Sequence, residues 1–288
     1  MVTVIPLDAA TFRPLGGRLW DGASPLWSAA TMVCTCLAIV HDHGVALVDT
    51  GPGSAAADDG GASLGKLWAM LFRPDLRQEN TLLAQLHRHG IEVGDVTDVI
   101  LSHGDIDHSG GLSDFPNSRV HLHREELLAI KRPLTLGEQK RYRPELFAHE
   151  PRWCTYGGDD PAVDWFGFQA YRAQGLPPQV LLVKLAGHSR GMLGVAIDIG
   201  GHWILHAADA YFHASEIDPR HPRRPMAVRA FGFATRTLAL AYPDQQARLR
   251  TLVRDHGDQV TVVSSHCAQD LRLLQSLTAP EQAHTPQF

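Results

Sequence analysis

The sequence predicts an α/β fold, and three observations carry that prediction. Short apolar runs of strand length recur, among them Val45–Val48, Val96–Leu101, Val180–Leu185, Leu193–Ile199 and Val260–Val263. Stretches with helical spacing lie between them: in Pro243–Gly257, Leu249, Leu252, Val253 and His256 fall at i, i+3, i+4 and i+7. Histidine or aspartate then stands just past the ends of five runs, at Asp49, His103–His108, His188, Asp209 and His266. Side chains gathered at strand ends from distant positions are how a β-scaffold builds a site.

The chain has 288 residues, enough to bury a large core without staples. We expect a single domain over 1–288, with irregular insertions near 54–77, 132–165 and 213–235. A net charge of −5 gives no surface suited to nucleic acid. No apolar run reaches membrane-spanning length, and the N-terminus lacks a signal-like pattern, so the expected location is the cytoplasm. The four cysteines, Cys34, Cys36, Cys154 and Cys267, form no disulfide framework; Cys34 and Cys36 read as small buried residues.

In chain order, Met32–Val40 and Val45–Val48 read as strands joined by a turn at 41–44, the second running into Asp49-Thr50-Gly51. Residues 54–77 are Gly/Ala-rich and read as a mobile flap. Asn80–Gly90 is a helix, with Leu82, Leu83 and Leu86 on one face and Gly90 as its stop. Val96–Leu101 is the next strand, Arg119–His123 a short one, and Arg124–Lys131 a helix. Val180–Leu185 ends in Ala186-Gly187-His188-Ser189, Trp203–Ala207 leads to Asp209, and Val260–Val263 leads to Ser264-Ser265-His266-Cys267.

The densest chemistry is His103-Gly104-Asp105-Ile106-Asp107-His108, followed by Ser109-Gly110-Gly111. Imidazole and carboxylate are the usual donors to a borderline divalent ion. The glycines allow the backbone to turn tightly and start a helix. This stretch reads as the centre of a two-metal site.

Taken in order, Asp49-Thr50-Gly51, the His103–His108 motif, Gly187-His188-Ser189-Arg190-Gly191, Asp209 and His266 resemble the signature of the metallo-β-lactamase superfamily. The resemblance spans about residues 32–270. It implies an αββα sandwich of two mixed β-sheets flanked by helices, with metals at one edge. It implies that His103, Asp105 and His188 hold one metal, that Asp107, His108 and His266 hold a second, and that Asp209 bridges them. Zinc is the expected ion, with Mn, Fe or Co as alternatives. Asp105 departs from the family pattern, which usually has histidine there.

Two metals about 3.5–4 Å apart can share a hydroxide and polarise an electrophile, with the water pKa brought to about 7. No Gly-x-Ser-x-Gly elbow offers a rival nucleophile. Asp105 lowers the formal charge of the cluster by one. That predicts a neutral acyl substrate, a more basic hydroxide and a harder first site. Asp107 is a candidate to shuttle a proton as well as to ligate. Asp49 is expected to accept from a ligand imidazole and set its tautomer. Tyr211, two residues past Asp209, is a candidate oxyanion donor if the strand continues. His206 alternates to the opposite face and reads as structural, and His213 as a weaker substrate-side candidate. His121 and His123 read as ordinary strand residues. Trp153, Trp165 and Phe166 are either pocket wall or core. Arg220, Arg223, Arg224 and Arg229 read as a solvated loop.

The expected activity is metal-dependent hydrolysis of a small neutral acyl compound. A lactone is favoured because the Met32–Leu37 strand is similar to that of quorum-quenching lactonases in the superfamily. Thioester and phosphodiester hydrolysis are the alternatives, with β-lactams less favoured. A diiron redox centre or a non-catalytic binding domain represents other classes. The expected partner is a small molecule, with a homodimer as a further expectation.

Overall fold

The computed structural model describes residues 2–279. Two six-stranded sheets face each other. The first runs in the order β1 (Thr3–Asp8), β2 (Thr35–His41), β3 (Gly44–Val48), β4 (Val96–Ile100), β5 (Arg119–His123), β6 (Arg152–Tyr156). Its first two pairings are antiparallel and the remaining three parallel. The second sheet holds β7 (Ala162–Trp165), β8 (Phe168–Arg172), β9 (Val180–Lys184), β10 (Leu193–Asp198), β11 (Trp203–His206) and β12 (Val260–Val263). Only β11 and β12 pair in parallel there.

Helices flank the sheets or lie at the site edge: α1 (Arg18–Asp21), α2 (Gly53–Asp58), α3 (Lys66–Phe72), α4 (Leu82–Arg88), α5 (Ile106–Ser109), α6 (Arg124–Lys131), α7 (Leu136–Arg141), α8 (Met226–Thr235), α9 (Ala241–His256) and α10 (Ala268–Thr278). Three apolar layers result. Leu37, Ile39, Val48 and Ile100 meet Leu182, Val195, Ile204 and Val263 between the sheets. Leu82 and Leu86 of α4 seal the first sheet, and Leu249 and Leu252 of α9 seal the second. Strands buried on both faces read as continuous apolar runs, which is why β3, β4 and β9 were legible. This is the αββα sandwich the resemblance implied.

Several boundaries and segments differ from expectation. Strand β2 starts at Thr35 rather than Met32. Segment 54–77 is a packed unit rather than a loose flap. It carries α2 and α3, and the Phe12 ring lies 5.3 Å from Trp68 and 6.4 Å from Phe72. Segment 132–165, read as an insertion, supplies α7 and the edge strands β6 and β7. Those strands are partly exposed and lack clean alternation, so their composition resembled a loop. Segment 213–235 contains α8. No helix among the described residues is long and apolar enough to cross a membrane.

Candidate metal centre

The chain leaves β3, β4, β9, β11 and β12 at one edge of the sandwich, and each departure delivers a polar side chain there. After β4, the one-turn helix α5 follows Asp105 and carries Asp107 and His108. Asp209 sits in a single turn after β11, entered through Ala208 at φ 49°. The seven residues expected as ligands converge. His103, Asp105 and His188 form one compact group; Asp107, His108 and His266 form another. Asp209 lies between them. Its Oδ2 is 3.9 Å from His103 Nε2 and 3.6 Å from His188 Nε2. Its Oδ1 is 3.4 Å from His108 Nε2 and 3.3 Å from His266 Nε2.

Buried polar atoms are normally paired. Here His103 Nε2, His108 Nε2 and Asp209 Oδ1 are buried with no hydrogen-bond partner. They point at one another across separations wider than most hydrogen bonds, as donors around a shared cation do. The donor set, imidazole nitrogen plus carboxylate oxygen, fits two divalent ions.

Charge is arranged unevenly. Burial opposes ionisation of Asp105, but Arg141 and His103 outweigh it and hold the carboxyl well below its ordinary range. Burial, reinforced by Arg141, pushes His188 down to about 4. Burial also disfavours charge on His108, yet Asp209 and Asp49 overcome it and raise that imidazole well above its usual value. Asp49, at φ 57° directly after β3, places one oxygen 2.7 Å from His108 Nδ1 and accepts from the Ser102 amide at 2.7 Å with the other.

Two supports escaped the sequence reading. Glu126 of α6 is fully buried, and its carboxylate accepts from the Gly104 amide and the Tyr142 hydroxyl. It also accepts from the Ser189 hydroxyl at 2.6 Å and the Gly191 amide at 3.0 Å. One carboxylate thus ties the His103 loop to the His188 loop. Gly191 is required there, because a Cβ would collide with the backbone of Glu126. Arg141, at the end of α7, places Nε 3.1 Å from Asp105 Oδ1. A guanidinium beside Asp105 offsets its charge, so the charge count no longer argues for a neutral substrate.

Other expectations resolve differently. Tyr211 is not an oxyanion donor: it is buried, and its hydroxyl donates to Asp270 at 2.7 Å. The alternation argument failed because β11 ends at His206 and a turn follows. His213 caps a short turn and bonds the Asp21 carbonyl at 3.1 Å, and it belongs to none of the ligand-like groups. His206 is buried in β11 and belongs to none of the ligand-like groups. His121 bonds Asp98 at 2.7 Å and Tyr156 at 2.8 Å. A cavity of about 460 Å³ opens on the cluster. Phe12, Met32, Trp68, Phe72 and Phe231 give it an apolar lining, and Lys140, Arg141, Arg143 and Arg236 line it as well, with Glu138 among them. Trp153, Trp165, Phe166 and the four arginines of 213–235 do not line it.

The metallo-beta-lactamase superfamily model matches residues 30–244. The chain is 34% identical over 236 residues to a probable metallo-hydrolase of Mycobacterium tuberculosis, covering 82% of this chain and 74% of that protein. It is 31% identical over 163 residues to an N-acyl homoserine lactonase of Bacillus thuringiensis, covering 57% of each. A B. thuringiensis structure with N-decanoyl-L-homoserine bound at its active site shares the fold, with TM-score 0.70, 19% identity and coverage of 95% and 96%. A dizinc quorum-quenching lactonase does so with TM-score 0.62, 16% identity and coverage of 93% and 88%. This chain belongs to the metallo-beta-lactamase superfamily. Within it, the chain is a metallo-hydrolase.

Proposed function

We propose that this metallo-hydrolase opens lactones that carry an apolar arm. The observation that carries the reading is the aromatic lining of the cavity, set directly beside the metal-ligand cluster. A chain of methylenes against Trp68, Phe72 and Phe231 gains about 0.8 kcal/mol for each one buried. The lactonase names among the relatives support the same class.

His103, Asp105 and His188 would hold one ion and Asp107, His108 and His266 a second, with Asp209 within reach of both. Zinc suits these donors, while the added oxygen of Asp105 makes Mn, Fe and Co competitive. When bound, the ions would supply activated water at neutral pH and polarise the acyl carbonyl. The residues place that carbonyl: the aromatic lining fixes the arm, so the reacting carbon meets the cluster in one orientation. As the acyl C–O bond breaks, the ring oxygen needs a proton. Asp107 lines the cavity, where its carboxylate would take the proton given up by the attacking water and pass it to the ring oxygen.

The cationic residues that line the cavity favour a second reading, hydrolysis of an anionic ester such as a phosphodiester. A panel of lactones, thioesters, phosphodiesters and β-lactams, run on Zn-, Mn-, Co- and Fe-loaded protein, separates the two. The lactone reading expects the highest kcat/KM on lactones with long acyl arms. His108→Ala should lower that rate by about 10³-fold, the loss of several kcal/mol of transition-state stabilisation. An unchanged rate in that variant removes the assignment.

A further inference from the structure

Asp105 stands where the superfamily usually has histidine, and Arg141 stands against it. We infer that the two act as one unit replacing a neutral imidazole, with Arg141 the positioning residue that orients the carboxylate and cancels its charge. The inference rests on the metal reading proposed above.

The oxygens of Asp105 divide their work. Oδ2 faces the cluster, 3.1 Å from His188 Nε2 and 3.5 Å from His103 Nε2. Oδ1 faces away, toward Arg141 Nε at 3.1 Å. The Arg141 side chain is only 10% exposed. Its Nε meets Asp105 as an ion pair without hydrogen-bond geometry, while its terminal nitrogens donate to the His188 carbonyl at 2.8 Å, the Thr235 carbonyl and, at 3.5 Å, the Thr237 hydroxyl. These three are neutral acceptors. Among the described residues, Asp105 is the one carboxylate within ion-pair distance of Arg141.

The charges then balance. Asp105, Asp107 and Asp209 together carry a formal minus three, and Arg141 returns this to minus two. A set of five histidines and two aspartates also carries minus two. A guanidinium does not deprotonate, so the compensation holds at any working pH. Its planar fork reaches the His188 and Thr235 carbonyls while facing the carboxylate, a fixed spacing that the compact ammonium of a lysine lacks.

The pairing makes a counter-intuitive prediction. Asp105→His restores the usual signature, yet it strands a buried guanidinium beside two divalent cations with no carboxylate to answer it. The first group should then lose its ion. Arg141→Met keeps an unbranched stem without the charge, so adding it should mend the site.

The test is zinc content and thermal stability of the purified full-length chain. Wild type should hold about two zinc ions per chain, Asp105→His about one with a lowered Tm, and Asp105→His/Arg141→Met about two again. Asp105→His holding two ions as tightly as wild type overturns the pairing alone. Wild type that takes up no metal overturns the metal reading and the pairing with it. Arg141→Met by itself gives an independent measure should Asp105→His fail to fold. Without Arg141, the Asp105 charge is answered by the neighbouring His188 and His103 rings and by a bound ion, so the Tm gain on adding zinc to metal-stripped protein should exceed that of wild type. A gain equal to or smaller than wild type marks Arg141 as a merely structural anchor and overturns the inference.

Discussion

The two ligand groups are fixed by different means. His108 and His266 are held through their rings. His266 Nδ1 donates to the Val33 carbonyl at 2.8 Å, and its ring stacks on Phe212 with an interplanar angle of 18°. His108 Nδ1 meets Asp49 at 2.7 Å. An imidazole whose Nδ1–H is spent on an acceptor, when neutral, presents a bare Nε2 to the cluster. In the other group, His188 Nδ1 has no partner. Its place comes instead from the loop backbone that Glu126 grips, and Asp105 depends on Arg141. His103 is the exception in that group, its Nδ1 lying 2.9 Å from the Ser102 hydroxyl, which donates in turn to Asp49. The second group is therefore the more sensitive to what sets a tautomer, and the first to charge and to loop anchoring.

Removing the anchor should break that contrast most severely. Glu126→Ala leaves the Gly104 and Gly191 amides and the Tyr142 and Ser189 hydroxyls without their shared acceptor. Several orphaned buried donors place the cost at about 3–5 kcal/mol of folding stability. Urea unfolding should show the midpoint falling, and zinc analysis should show the ion of the His103 group lost first. Equal loss from both groups would show that Glu126 supports the whole edge.

Asp49→Asn should act on the other group. The amide keeps the shape but loses the charge-assisted bond to His108, and such substitutions weaken metal affinity about 10–100-fold. Competition with a chelator should resolve one strongly weakened ion, with the His103 group, which Asp49 reaches only through Ser102, changed less. If both ions weaken together, the two groups are coupled through Asp209 rather than separately built.

The contrast also explains what the sequence revealed. The His103–His108 loop is contiguous, and Asp49, His188 and His266 follow apolar runs, so local reading reached them. Glu126 did not stand out because Arg-Glu-Glu at a helix start resembles a solvated face, although Glu126 is fully buried. Arg141 lies in a segment without hydrophobic period, and its partner is far away in sequence. Tyr211 misled because the reading extended strand alternation past a turn with a left-handed residue at Ala208. Strands at sheet edges, β6 and β7, bury too little to show a pattern. What was legible is local or doubly buried; what was missed depends on long-range charge pairing.

The mildest test concerns the helix that carries Glu126. His123 caps α6, its Nδ1 accepting from the Glu125 amide at 3.2 Å. Burial, aided by Lys184, depresses its pKa to about 4. An unfolded histidine titrates near 6.5, so on acidification the unfolded chain takes the proton first. The contribution of His123 is complete above pH 6.5 and drains away as pH falls toward 4. By pH 5 this amounts to about 1–2 kcal/mol. Asparagine caps helices well and does not titrate. His123→Asn should therefore lose less Tm than wild type between pH 7 and pH 5, with the excess stability in the α6–Glu126 side. Parallel acid profiles for the two proteins would place the acid sensitivity elsewhere and leave α6 anchored by Glu126 alone.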